Sequence, residues 1–326
     1  MSRRLTKPSE RGVALLTVLL LVAVLATLAA VVLDDIRFGI RRAANAEAVG
    51  QARWYALGAE TLAAGQISQL VRASDRVTLD GGWHDRPFSF PVENGLIQSR
   101  LTDGAACFNL NSVVQGAGDV LSRRDPGVAQ FNALLGALNF APREAEMLGA
   151  ALTDWVDSDG VRESGGAEDE AYLAGSPAYR TGGTLLAEAS ELRAIRGFTP
   201  AVYARLRPYL CALPTNDLSP INVNTITPDK ALLITMLTEG EVGPDLAQRL
   251  IAARPAGGWS ASEFLQLPAI VEAGLADPGQ IKATTDYFTL QTQVDYLDAE
   301  VVASGLFEVD SAGQVRLVAR RWTYDE

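Results

Sequence analysis

Seven carboxylates crowd one short stretch: Asp154, Asp157, Asp159, Glu163, Glu168, Asp169 and Glu170, with Arg162 as the only base among them. Like charges this dense repel unless water screens them or a cation neutralises them. Gly160, Gly165 and Gly166 let the chain fold back, so that acids separated in sequence can converge. Calcium takes about 6–8 oxygen ligands from such loops. The stretch holds neither His nor Cys, which disfavours zinc. Asp157, Asp159 and Glu168 fall at positions 1, 3 and 12 of an EF-hand register. Position 5, however, is Val161, and position 6, where that loop needs glycine, is Arg162, so this is not an EF-hand. A solvated acidic loop is the plainer alternative. The Trp155-Val156 pair and the tyrosines Tyr172 and Tyr179 argue for an ordered segment instead.

Other catalytic chemistry finds little support. The chain has no Gly-x-Ser-x-Gly, no P-loop and no His-Glu-x-x-His. Its one histidine, His84, adjoins Asp85 in a Gly81-Gly82-Trp83 turn and reads as a surface loop residue. Paired carboxylates can serve a glycosidase, but such pairs flank a sugar from separate elements, whereas these acids share one loop. Two cysteines, Cys107 and Cys211, complete the reactive inventory.

The chain has 326 residues, 48% of them hydrophobic, enough for two domains or one with a large insertion. Its net charge of −11 argues against the broad basic surface of a non-specific nucleic-acid binder. Arg3, Arg4, Lys7 and Arg11 precede residues 13–33, which carry no charge, and Asp34 and Asp35 follow at once. A helix of about 20 residues spans a bilayer core, so 13–33 predicts a transmembrane helix. A cleaved secretory signal, the alternative, would have a shorter apolar run and a small-residue cleavage site. The charge asymmetry places the N-terminus in the cytoplasm and the body outside. There, Cys107 and Cys211 are permitted to bridge; two buried free thiols are the alternative, and the compartment favours the bridge.

The helix is expected to continue beyond the membrane, with Ile36, Ile40, Ala43, Ala44, Trp54, Leu57, Leu62, Ile67 and Leu70 at helical spacing. Strands are expected at 88–92 and 96–101 around Asn94-Gly95, at 288–296, and at 306–309 and 315–320. Between them, roughly 112–283, helical signals dominate: Thr199-Pro200, Thr227-Pro228 and a Ser260-x-x-Glu263 capping box.

Glu10-Arg11-Gly12-Val13-Ala14-Leu15-Leu16-Thr17-Val18 resembles a type IV prepilin leader. That resemblance implies cleavage between Gly12 and Val13 by a prepilin peptidase and methylation of the new Val13 amine. Most such proteins carry Glu at the fifth mature position, where this chain has Thr17. A carboxylate in lipid needs a partner, taken in pilins to be the amine of the subunit ahead. A subunit lacking it needs none, which fits a tip subunit and resembles the protein K family of type II secretion minor pseudopilins. Asn109-Leu110-Asn111, the acidic loop, Ser190-Glu191-Leu192-Arg193 and Ile221-Asn222-Val223-Asn224-Thr225 extend that resemblance over nearly the whole chain. It implies calcium ligands at Asp157, Asp159, Glu168 and Asp169, with Glu163 and Glu191 as secondary candidates. Residues 221–264 also resemble helix-hairpin-helix and sterile-alpha-motif-like (SAM-like) folds, but the hairpin would turn Glu239 and Glu241 toward a phosphate.

The expected architecture is α+β: a pilin-like transmembrane and stalk helix packed on a small antiparallel sheet, with a large all-α insertion. The expected divisions are a leader at 1–12, a transmembrane helix at 13–33, stalk and first strands at 34–111, and a helical insertion at 112–283. The insertion would hold a calcium loop at 154–172 and a SAM-like unit at 215–283, and the last strands would occupy 284–326. The resemblance implies a non-enzymatic tip subunit of the pseudopilus that serves its assembly and protein export. It implies partners among the other minor pseudopilins, the peptidase and the bacterial inner membrane, no nucleic acid, and a periplasmic body. A membrane-anchored DNA-uptake protein and a bitopic calcium-dependent hydrolase are the alternatives.

Overall fold

The computed structural model describes residues 10–323, so residues 1–9 of the expected leader lie outside them, while Gly12 and Val13 fall within the first helix. That helix, α1 (Glu10–Ala73), runs without a break for 64 residues, about 95 Å at ~1.5 Å per residue. Its first half, residues 13–47, is exposed throughout. It is the one helix among the described residues long and apolar enough to cross a membrane. Its second half packs on a sheet through Ala48, Ala52, Ala56, Ala59, Ala63 and Ile67. This corrects the expected stripe in part: Ile67 is buried and Leu70 packs against the same cluster, whereas Ile36, Ile40, Trp54 and Leu62 point outward. Small side chains let the helix lie close to the sheet, so alanine marks most of the packed face, with Ile67 at its end.

After the stalk come β1 (Phe88–Val92) and β2 (Gly95–Asp103), then β3 (Phe108–Asn109) and a small hairpin of β4 (Val114–Ala117) and β5 (Val120–Arg123). The helical unit follows with α2 (Asp125–Ala137), α3 (Pro142–Val156), α4 (Asp169–Leu173) and α5 (Pro200–Leu206). Short strands β6 (Leu210–Cys211) and β7 (Ile221–Asn222) lead to α6 (Leu232–Leu237), α7 (Pro244–Ala252), α8 (Ala261–Leu265) and α9 (Pro268–Ala273). The chain ends through β8 (Ile281–Lys282), β9 (Tyr287–Tyr296), β10 (Ala299–Val309) and β11 (Val315–Arg321).

The main sheet is antiparallel throughout, in the order β1-β2-β9-β10-β11. The first hairpin turns at Glu93-Asn94, with Asn94 at φ 58°, and Gly95 already pairs with Val92. Gly95 is needed for a different reason than the turn: a Cβ there would lie 2.3 Å from the carbonyl oxygen of Asp295 on β9. β10 begins at Ala299, not 306, because it forms a hairpin with β9 from Ala299↔Tyr296 onward. Glu300, Ser304 and Gly305 interrupt the hydrophobic alternation there and hide the strand in the sequence.

Strand β11 ties the stalk to the sheet. Arg320 donates from Nε and Nη2 to both carboxylate oxygens of Glu60, at 2.7 and 2.6 Å, and Glu60 is only 7% exposed. The neighbouring Arg321 reaches the other way, to Glu188 and the Ala187 carbonyl of the helical unit.

The helical unit has one continuous core from Ala106 to Ile281, which takes in Phe108 and Leu110 ahead of residue 112. The 215–283 segment shares that core, with α6 packed on α2. Ser260 and Glu263 form the expected capping box, and Thr199 caps α5. Thr227 makes no side-chain cap; a 3-10 turn, Pro228–Lys230, precedes α6. Cys107 and Cys211 are bridged, Cα–Cα 5.7 Å, beside the parallel pairing of β3 with β6. His84 is half-buried rather than on the surface, edge-on to Trp83 at 5.3 Å and bridged to Leu101, and burial pushes its pKa down.

Candidate metal centre

Helix α3 delivers the first acids. Its last turn carries Asp154 and, just past its end, Asp157, whose N–H still donates to the Thr153 carbonyl. The exit from the helix is anchored twice. Ser158 exchanges backbone and side-chain hydrogen bonds with Leu121, and the Gly183 N–H donates to the Trp155 carbonyl. Trp155 packs edge-on against Tyr172 at 5.2 Å and Tyr179 at 6.1 Å. The returning chain brings Glu168 to the start of α4. A carboxylate oxygen from each of Asp157, Asp159 and Glu168 then lies within 4.8 Å of the others.

Two of these acids are out of water. Asp157 is 4% exposed and Glu168 8%, while Asp159 is exposed. Asp157 Oδ1 and Glu168 Oε1 are buried without a hydrogen-bond partner, as is Oδ2 of the adjoining Asp154. Burial, then the charges of Asp159, Glu168, Asp154 and Glu163, push the Asp157 pKa up to about 7. Burial raises Glu168 as well, with Asp154 adding to it. Buried anionic oxygens without donors are costly unless something positive meets them. The residues therefore fit a hard divalent cation: carboxylate oxygens only, converging, partly dehydrated and facing an open pocket that Asp169 and Thr181 also line.

The remaining expected ligands are engaged elsewhere. Asp169 accepts from the Thr181 N–H and hydroxyl, each at 3.0 Å, and from Arg180 at 2.6 Å. The Thr181 N–H, its hydroxyl and Arg180 hold the Asp169 pKa below its ordinary value. Glu163 faces Arg123 at 3.5 Å. Glu191 caps its own 3-10 turn, accepting from the N–H groups of Ala187 and Glu188 at 2.7 and 2.8 Å. None of the three joins the group formed by Asp157, Asp159 and Glu168. Asp154, absent from the expected ligand set, is fully buried beside them; its position one turn before Asp157 on α3 was the available signal.

At the hairpin 238–243 the backbone is already occupied. The N–H groups of Glu239, Gly240, Glu241 and Val242 donate to Met236, Thr235, Thr238 and the Thr238 hydroxyl. Glu239 and Glu241 are exposed there. A phosphate approaching this hairpin meets two carboxylates and none of these four donors.

The motifs Asn109-Leu110-Asn111 and Asn222-Val223-Asn224 have a plain structural role. All four asparagines are buried, and each side chain holds backbone groups of distant segments. Asn109 and Asn111 hold 186 and 213–217, Asn222 holds Val77, and Asn224 holds Trp259.

Comparison with known proteins places the chain as a whole. The family model described as "Type II secretion system (T2SS), protein K" matches residues 106–215 and 221–283. The type II secretion system protein K of Klebsiella pneumoniae is 42% identical over 270 residues, 82% of each chain. That of Pectobacterium carotovorum subsp. carotovorum is 34% identical over 318 residues, 96% of each. A chain in the crystal structure of the GspK-GspI-GspJ complex from the enterotoxigenic Escherichia coli type 2 secretion system superposes with a TM-score of 0.76. It is 28% identical, with 86% of this chain and 99% of that one covered. By sequence and fold, this chain belongs to the type II secretion system protein K family.

Proposed function

We propose that the chain is a minor pseudopilin capping the tip of a type II secretion pseudopilus, contributing to pseudopilus assembly and initiation and to export of folded proteins across the outer membrane. It acts without catalysis. The observation that carries this reading is at bilayer depth. Thr17, at the position where most pilins place an acid, donates its hydroxyl to the Ala14 carbonyl of its own helix at 2.9 Å. The span thus holds no charged group that requires a subunit ahead of it. A broad helical unit beside the stalk, spanning 112–283 on the division expected above, is tolerated where nothing stacks above it. Cleavage between Gly12 and Val13 by a prepilin peptidase would leave α1 as anchor and stalk. The basic residues before the span and Asp34 and Asp35 after it support a cytoplasmic N-terminus, an inner-membrane span and a periplasmic body.

Partners are other minor pseudopilins. The solved relative's complex contains GspI and GspJ, and the stalk here offers an unpartnered face. Trp54 is 70% exposed and Leu62 58%, and beside them Gly58 and Gly65 have open space where a Cβ would stand. Full-length protein in detergent is expected to co-purify with candidate minor pseudopilins. Trp54→Arg is expected to weaken that association about 30-fold, the loss of one central aromatic anchor. Failure to associate, with and without calcium, counts against the reading. A DNA-uptake role is disfavoured by the occupied hairpin, and duplex retardation at moderate salt would restore it.

The acidic group is the site of a structural calcium ion held by Asp157, Asp159 and Glu168, with Asp169 at its rim. Millimolar calcium is expected to raise the melting temperature of the full-length protein and chelator to lower it. The pH dependence follows from Asp157. Without a cation its folded pKa lies near 7, above the unfolded value of about 3.9. The folded state then holds the extra proton between these values, so cation-free stability falls as pH rises through that window. Protons also compete with calcium there, so the calcium increment is expected to be larger at about pH 7.5 than at about pH 5. No increment at either pH removes the site.

A further inference from the structure

We infer that Asp154 is a positioning residue for this cation site and not one of its ligands. The inference rests on the calcium reading above and deepens it. Asp154 is fully buried at the end of α3, and its Oδ1 accepts the Glu163 N–H at 2.9 Å. That bond catches the loop halfway through its return. The Gly166 N–H then donates to the Glu163 carbonyl at 3.0 Å, which closes a tight turn through Gly165, at φ 88°. Ala167, fully buried in the core of the helical unit, fixes the next residue, and Glu168 follows directly. Asp154 and Asp157 leave the same helix end one turn apart, so the clasp at Asp154 sets where Glu168 lands against Asp157.

The fit at the clasp is close. A Cβ on Gly166 would lie 2.1 Å from Asp154 Oδ2 and 3.1 Å from the Ala150 carbonyl oxygen. The glycine is therefore required by the carboxylate it passes and not by its own backbone angles, since Gly166 is not among the residues with positive φ. Its Oδ2 is buried without a hydrogen-bond partner, yet Asp154 stands outside the group of carboxylates whose oxygens converge. One loop thus divides its acids by task. Asp154 holds the backbone, and Asp157, Asp159 and Glu168 face the cation.

Calcium titration of the full-length protein in detergent, by calorimetry and by the calcium-induced rise in melting temperature, tests this. Asp154→Ala is expected to weaken calcium about 10–100-fold, the usual effect of removing a group that orients ligands. Asp154→Asn keeps an oxygen for the Glu163 N–H and is expected to stay within a few-fold of the unmutated chain. Gly166→Ala, which keeps every carboxylate, is expected to lose affinity like Asp154→Ala. Should Asp154→Ala not fold, the comparison of Asp154→Asn with Gly166→Ala decides alone. Equal loss in Asp154→Asn and Asp154→Ala overturns the inference, because the charge itself then serves the cation. Unchanged affinity in Asp154→Ala or in Gly166→Ala overturns it too. No calcium binding by the unmutated chain overturns the calcium reading itself, and this inference falls with it.

Discussion

Replacing Asn111 by leucine is expected to lower the stability of the folded body by about 3–9 kcal/mol, since each of three buried backbone groups left unpaired costs ~1–3 kcal/mol. Asn111 is completely buried. Its Nδ2 donates to the carbonyls of Leu186 and Leu213, at 2.9 and 2.8 Å, and its Oδ1 accepts from the Leu186 N–H at 2.7 Å. Leucine has nearly the same shape and none of these groups, so two carbonyls and one N–H lose their partners without access to water. Asn111→Asp is expected to be at least as damaging, because it sets a carboxylate oxygen against the two carbonyls. Asn216, whose single bond to the Gly116 carbonyl is exposed, serves as the control. Asn216→Leu is expected to change stability by less than about 1 kcal/mol. Denaturant unfolding of both variants in detergent decides the matter. A loss at Asn111 no larger than that at Asn216 would show that the clamp relaxes.

Removing the disulfide is the second large effect. The bridge joins residues 104 apart, and the chain-entropy account assigns a loop of that length about 4–5 kcal/mol. Its place adds to this. Cys107 lies at the entry to the helical unit, and Cys211 follows Leu210 in the pairing of β3 with β6. Leu213 just beyond packs with Ala105 and Tyr287 of the sheet side. Without the bridge, the helical unit keeps its own core but loses the covalent tie at the point where it leaves the sheet. The double variant Cys107→Ala with Cys211→Ala is expected to lose about 4 kcal/mol. Reductant is expected to lower the unmutated protein to the same level and to leave the double variant unchanged. A loss under about 1 kcal/mol would mean that the unfolded chain is already restrained between these residues.

Both predictions start from residues visible in the sequence, yet their reasons were not. Asn109-Leu110-Asn111 stood out as a motif, but an asparagine's partners are distant in sequence, at 186 and 213, and only folding reveals them. The stalk was legible as a helix, because an uncharged apolar run followed by a long proline-free stretch has few other solutions. Which face it packs was not. The spacing drew attention to Trp54 and Leu62, but the sheet takes Ala52, Ala56 and Ala59. Strand β10 was half-hidden because its pairing with β9 tolerates Glu300 and Gly305.

The acidic loop shows the same division. Composition alone determined that 154–170 is a dense anionic segment with glycine hinges, that zinc and common hydrolase motifs are disfavoured, and that one helix can cross a membrane. These follow from charge, length and donor type, which are local properties. Tertiary structure decided which acids meet. It turned Asp169 to Arg180 and Thr181, set Glu191 to cap its own turn, and buried Asp154 beside Asp157 and Glu168. Each carboxylate has several possible partners a few residues away. The choice among them depends on where the helix end, the aromatic layer of Trp155 and the return of the loop place it in space.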